Sequence, residues 1–425
     1  MSILSRRQLG VLAASLTGFA IHPATAAPLS RKYAGTTLNI LSRTSPPFDA
    51  PTALGAEFTD ATGINLQVTR VAPSDHYAKM MLDLTSNTNA YDVTLFIYQW
   101  KQDLAPFLAD LSKLNQELPD APALALDDYP PKLLDIYGKV GDKLIGLPIL
   151  GDVSFLLWNK QRAAAKGFTD SPKTWDEVVA RGKAMSGEGQ YGFALPAGKT
   201  PQAYVLYSLL FHAFGGQYFD AAGKPLLNSE AGLKTMRFLA GDMMSISPPG
   251  NLTWDYAEVL NSFSAGKSAQ AIMWPGGFAT LSDPAKSAVT GNYAMTPPPG
   301  GALLGGTSIG VNAKAKQAEA ARLYVAWLTS PEIVSRNAAN GTAPARIGAL
   351  SDPALIQKFP HYPAVRTAML GDTFGYIPMR ESEQVLVMMS DEVNAACAKT
   401  KTPEQAANDL QAKAMQFMTR RGFFR

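Results

Sequence analysis

The sequence predicts an α/β protein of two lobes, and three observations predict it. From Thr37 to about Leu147, short apolar segments alternate with longer helical ones, the pattern of a mostly parallel sheet covered on both faces. The same alternation resumes after Leu147. The 425 residues also exceed what a single hydrophobic core usually organises.

Each element has its own signal. Leu38–Leu41 reads as a buried strand, Ile64-Leu66-Val68 alternates like a second, and Val93–Ile97 is a third. Helical stretches lie between them, near 51–61 and 76–84. Leu144–Leu147 runs through Pro148 and Gly151 into Val153–Trp158 without a strong turn signal, so a chain changing lobes here does so in extended form, as a hinge requires. Thr174-Trp175-Asp176-Glu177 opens a helix with a capping box. Ser330-Pro331-Glu332 and Thr402-Pro403-Glu404-Gln405 repeat the start signal with proline in the first turn. Pro297-Pro298-Pro299-Gly300-Gly301, followed by Gly305-Gly306, marks a second passage between lobes, and Asn340-Gly341-Thr342-Ala343-Pro344 a third.

Before the first strand, Ser5-Arg6-Arg7-Gln8-Leu9 precedes an apolar run, Val11–Ile21, and small residues at Ala24-Thr25-Ala26-Ala27. This is the layout of a cleavable export signal cut after Ala26, giving a signal segment of residues 1–26. The run is shorter than the roughly 20 residues a bilayer span needs. The paired arginines are similar to the twin-arginine signal that exports folded proteins. Removing Arg6 and Arg7 from the 38 basic side chains leaves them nearly balanced by 35 acidic ones, which argues against nucleic acid or an anionic membrane as partner. Cys397 is the only cysteine and lies far from the cut, so neither an internal disulfide nor a lipid anchor there is expected. The expected location is the periplasm, as a free monomer.

Six segments then resemble one known family, in that family's order and across nearly all of the chain after the signal. They are Lys143–Pro148 running into Leu157-Trp158-Asn159-Lys160, Pro172–Glu177, Phe263–Ala269, Ser308–Ala313, Glu319-Ala320-Ala321 leading to Trp327–Glu332, and Thr402–Ala406. The resemblance is to the bacterial extracellular solute-binding family that includes the maltose-binding protein, the receptors of ABC sugar importers. It implies the two-lobed periplasmic binding protein fold, with crossing hinge strands and a ligand enclosed between the lobes. Residues 36–147 plus 304–343 would form one lobe, and 148–303 plus 344–425 the other. The partners implied are a small hydrophilic solute, a sugar or polyol first, and the permease subunits of an importer, with no cofactor.

Sugars and polyols offer hydroxyl groups and C–H faces, so a receptor needs aromatic rings beside carboxylates, amides and guanidiniums. Gln99 and Trp100 follow a strand end, where α/β proteins bind ligands; Trp100 either stacks on the solute or packs under the next helix. Asp152 follows the presumed hinge and falls where the resemblance places a ligand carboxylate, with a structural ion pair as its rival. Ser42 and Arg43 end the first strand. Trp274, Gly277 and Phe278 join a strand to a helix whose first amides are free, and either Trp274 or Phe278 supplies a stacking face. Tyr204 and Trp254 are further candidates with a core role as the alternative. Arg346 and Arg380 would clamp hydroxyls, or the acidic group of an anionic solute, or else bridge the lobes.

Other classes have less support. Gly306-Thr307-Ser308-Ile309-Gly310 matches the hydrolase pattern G-x-S-x-G, but the residues after Ser308 read as an extended segment, whereas a nucleophile elbow needs a helix there. The four histidines lack metal-ligand spacing. A sensor for a membrane kinase would carry the same sequence signals.

Overall fold

The computed structural model describes residues 28–44, 48 and 53–424, so the expected export signal lies outside the described residues. Strands β1 (Thr37–Arg43), β2 (Asn65–Val71) and β3 (Val93–Ile97) run parallel in the order β2-β1-β3. Helices Gly55–Thr62 and Pro73–Ser86 make the crossovers, as parallel neighbours require. All three strands lie where the apolar runs predict them. After a short hairpin, β4 (Lys139–Val140) with β5 (Lys143–Leu144), the chain enters β6 (Leu147–Val153) and then β7 (Phe155–Asn159). Strands β8 (Gln270–Met273) and β9 (Tyr293–Thr296) flank β7 in a second sheet. The long β10 (Ala302–Val311) returns to the first sheet, and β11 (Thr373–Phe374) adds to its far end.

Two buried clusters correspond to the two sheets. Leu38, Ile40, Val93 and Leu95 pack with Tyr324 and Trp327 of helix Ala318–Thr329. Around the second sheet, Phe155, Leu157, Phe193, Leu206 and Phe263 belong to a larger core that also takes in helix Ser382–Cys397. The mixed α/β, two-lobed class therefore stands. The second sheet, however, is antiparallel rather than mostly parallel, since β7 opposes both β8 and β9. More than one helix separates β7 from β8, so no single right-handed crossover holds them to a common direction.

Three extended segments lie side by side at the middle of the molecule. β10 pairs antiparallel with β6 from Leu304↔Val153 to Ile309↔Leu147, and the Gly151 amide donates to the Ala343 carbonyl at 3.0 Å. They coincide with, or directly follow, the segments that carry the proline and glycine signals. Ser308 sits inside continuous β10, fully buried, and its hydroxyl donates to the Tyr137 carbonyl at 3.3 Å, so the G-x-S-x-G match is a strand and not a nucleophile elbow.

Arg346, expected at the ligand, is instead a fully buried staple beside the third segment. Its guanidinium donates to the carbonyls of Thr329 at 2.7 Å, Leu124 at 2.7 Å and Ala125 at 2.9 Å. It also pairs with Asp128 at 3.4 Å and lies 4.2 Å over the Tyr129 ring. Every face of the side chain is occupied, which leaves a solute nothing to bind. We expect Arg346→Met to lower stability by about 3 to 5 kcal/mol, because it orphans several buried acceptors at once; urea unfolding monitored by circular dichroism measures it.

Candidate functional site

Neighbouring residues on a strand point to opposite faces, so the β6–β10 ribbon separates two sides of the molecule. A methyl group on Gly305 would meet the Trp274 ring at 2.8 Å, and one on Gly306 would meet the Tyr137 hydroxyl at 2.6 Å. Trp274 therefore lies on one side, here the front, and Tyr137 on the other, the back. Asp152 is opposite Gly305 in the ladder, which puts its carboxylate on the front with Trp274. Tyr256 lies within electrostatic reach of Asp152, and its hydroxyl is 3.2 Å from where a Gly277 side chain would begin. Gly277 is thus the small residue that lets this tyrosine approach the Trp274–Phe278 turn.

Asp152 is only partly covered from solvent, yet its carboxyl is surrounded deeply enough that burial pushes it up to about 7, opposed by the Val153 amide. Among the described residues, no cation is placed to hold the charge of this carboxylate.

A second polar group comes from the end of β1. The Arg43 guanidinium lies 4.3 Å over the Phe48 ring, and its Nε is buried without a hydrogen-bond partner among the described residues. Burial lowers its pKa, opposed by Glu383 and Tyr204, while burial raises the Glu383 carboxyl, opposed by Arg43. Behind Phe48, buried His76 makes edge contacts with Phe48 at 5.9 Å and Trp100 at 5.4 Å. Ser42 is fully buried and its hydroxyl has no partner among the described residues. Tyr376 joins the two groups: it packs edge-on against Tyr204 at 5.5 Å and lies within electrostatic reach of Asp152.

The predicted residues thus separate. Asp152, Trp274 and Gly277 come together, and Arg43 and Tyr204 meet through Glu383. Trp100 does not join them, because it is buried between His76 and Tyr77 and serves the core under the following helix. The Gln99 carbonyl accepts from Ser382, and its side chain borders a cavity on the back. Phe278 stacks on His361 with ring centroids 3.8 Å apart, so its face is already used. Trp254 is half-buried against the second core, and its carbonyl accepts from Thr200 at 3.1 Å. Arg380 is exposed over the Phe423 ring at 5.1 Å, far along the C-terminal segment. Glu383, Tyr256 and Tyr376 were not among the sequence candidates. A lone acidic residue in the first turn of a helix reads as a favourable helix start, and nothing local reveals that it faces β1.

Because Asp152 holds a proton more readily in the folded than in the unfolded chain, stability is expected to fall as pH rises from its ordinary value of 3.8 towards about 7. Asp152→Asn is expected to remove that part of the slope and raise the melting temperature of the ligand-free protein at neutral pH, as thermal melts across this range would record.

A model of bacterial extracellular solute-binding proteins matches residues 44–334. A probable amino-acid ABC transporter periplasmic-binding protein of Sinorhizobium fredii is 49% identical over 402 residues, covering 94% of this chain and 93% of its own. An ABC transporter solute-binding protein of Agrobacterium radiobacter, crystallised with ribitol, superposes with a TM-score of 0.78 at 26% identity, covering 91% of this chain and 99% of its own. A solute-binding protein of Agrobacterium vitis with bound D-mannitol shares the fold at a TM-score of 0.74 and 20% identity, with 91% and 99% covered.

Proposed function

The chain belongs to the bacterial extracellular solute-binding proteins, and from that premise we propose that it captures a sugar or polyol for an ABC importer, in the cleft on the front of the β6–β10 ribbon. The observation that carries this is that Asp152 and Trp274 share one face of the ribbon, and that Tyr376 links Asp152 to the group of Tyr204, Arg43 and Glu383. Asp152 and Glu383 accept hydroxyl hydrogen bonds, Arg43 donates to hydroxyl oxygens, and the Trp274 ring covers a C–H face. The Agrobacterium radiobacter relative, with its ribitol, supports a solute of this class.

In this reading the lobes are residues 36–147 plus 304–343 and 148–303 plus 344–425. The solute touches both, and its differential affinity stabilises the closed form presented to the permease subunits. The protein reaches the periplasm by its N-terminal signal, cut after Ala26, and works there as an unanchored monomer. Replacing Arg6 and Arg7 together by lysine is expected to leave the precursor in the cytoplasm, which fractionation and N-terminal sequencing would reveal.

A second reading comes from the Sinorhizobium fredii relative. An amino acid would place its carboxylate on Arg43 and its ammonium on Asp152 or Glu383, whereas an acidic sugar derivative would use Arg43 alone. Calorimetric titration with sugars, polyols, sugar acids and amino acids separates the three. A sugar or polyol is expected to bind with a Kd on the order of a micromolar, equivalent to about 8 kcal/mol. Heat from amino acids alone would overturn the sugar reading. Trp274→Ala should weaken that binding at least about tenfold, a loss of roughly 1.4 kcal/mol, with the ligand-free melting temperature nearly unchanged.

A further inference from the structure

One cavity of the described structure lies apart from the Asp152–Trp274 group. It lies on the back of the β6–β10 ribbon, has a volume of about 550 Å³, and is lined by Tyr98, Lys101, Ile136, Phe211, Tyr218 and Phe374 among others. Tyr98 fixes its side: the ring stacks on Tyr137, the back-face residue, at 4.9 Å and 9°. Tyr98 also donates to the Leu304 carbonyl at 2.7 Å and accepts from the Tyr376 amide at 3.1 Å. Tyr376, which packs on Tyr204 and lies within electrostatic reach of Asp152, lines the cavity as well. The cavity's size falls within the range of small-molecule pockets.

The lining chooses among ligands. Six of its 17 lining residues are phenylalanine or tyrosine, and the His212 ring stacks on Phe374 at 3.9 Å, extending the flat surface. The carboxylates at its edge are already engaged, Asp135 with Lys139 at 2.7 Å and Asp372 with Lys132 at 2.9 Å. The Lys101 ammonium donates to the Asp135 carbonyl at 2.6 Å and shares the Asp135 charge with Lys139. Burial depresses Lys101 to about 8, opposed by Asp135, so it remains largely charged at neutral pH. A surface with several aromatic rings, beside two lysines that share one carboxylate, is complementary to a flat ring carrying a carboxylate.

We propose that this cavity is a second binding site, distinct from the Asp152–Trp274 group, for a ring-bearing carboxylic acid that packs against Phe374 and pairs with Lys101. Phenylacetate and its uncharged counterpart, phenethyl alcohol, serve as probes, titrated calorimetrically into the full chain and into three variants. Phenylacetate is expected to bind, and the alcohol more weakly. Lys101→Met should weaken the acid at least about tenfold, the scale of one charge-assisted hydrogen bond. Gln102→Trp, which places a ring at the cavity's edge, should block it without touching Lys101, and Asp152→Asn in the cleft should leave it intact. No binding of phenylacetate, equal binding of acid and alcohol, or loss in Asp152→Asn with retention in Lys101→Met would each overturn the proposal.

Discussion

The antiparallel pairing of β6 with β10 is the contact on which the rest of the molecule depends. Its backbone ladder joins the first sheet to the segment that continues into the second, and it works because three of its residues carry no side chain. Gly305 admits the Trp274 ring on the front and Gly306, at a φ of 119°, admits Tyr137 on the back. Gly151 lets the third crossing approach, since a methyl group there would lie 2.3 Å from the Pro344 carbonyl. Large rings thus close on both faces of the ribbon.

The charges arranged around that ribbon fall into two kinds. Arg346 is satisfied completely and buries its charge against four oxygen partners and a ring, so its role is to hold the segment behind the hinge. Asp152, Arg43 and Glu383 are incompletely satisfied: burial pushes each towards its neutral form, and compensation is partial. Polar groups left in that condition cost stability in the empty protein and are repaired by a partner that supplies the missing hydrogen bonds. A solute with hydroxyl groups on opposite edges would complete both groups at once.

Much of this was legible in the chain. The three parallel strands, the three crossings and the capped helix starts derive from apolar periodicity, proline and glycine placement, and capping residues, all of which are local. The position of Asp152 was legible for a similar reason, because the extended run Leu147–Val153 leaves few ways to place an acidic residue between apolar neighbours. That Phe278 already stacks on another ring was not, since it depends on His361, some eighty residues away, arriving beside it. Trp100 and Arg346 misled for the mirror-image reason: each is a residue type that binds sugars well and also fills or staples a core well.

By itself, then, the sequence determined the α/β class and the strands of the first sheet, since each is written in residues close together along the chain. Only the tertiary structure decided the antiparallel course of the second sheet, the sidedness of the ribbon and the partners of each charge. Sidedness rests on strand register, which a one-residue slip would reverse. The company of a charged residue rests on which distant segments arrive beside it, as Glu383 does beside Arg43, and no local pattern encodes that arrival.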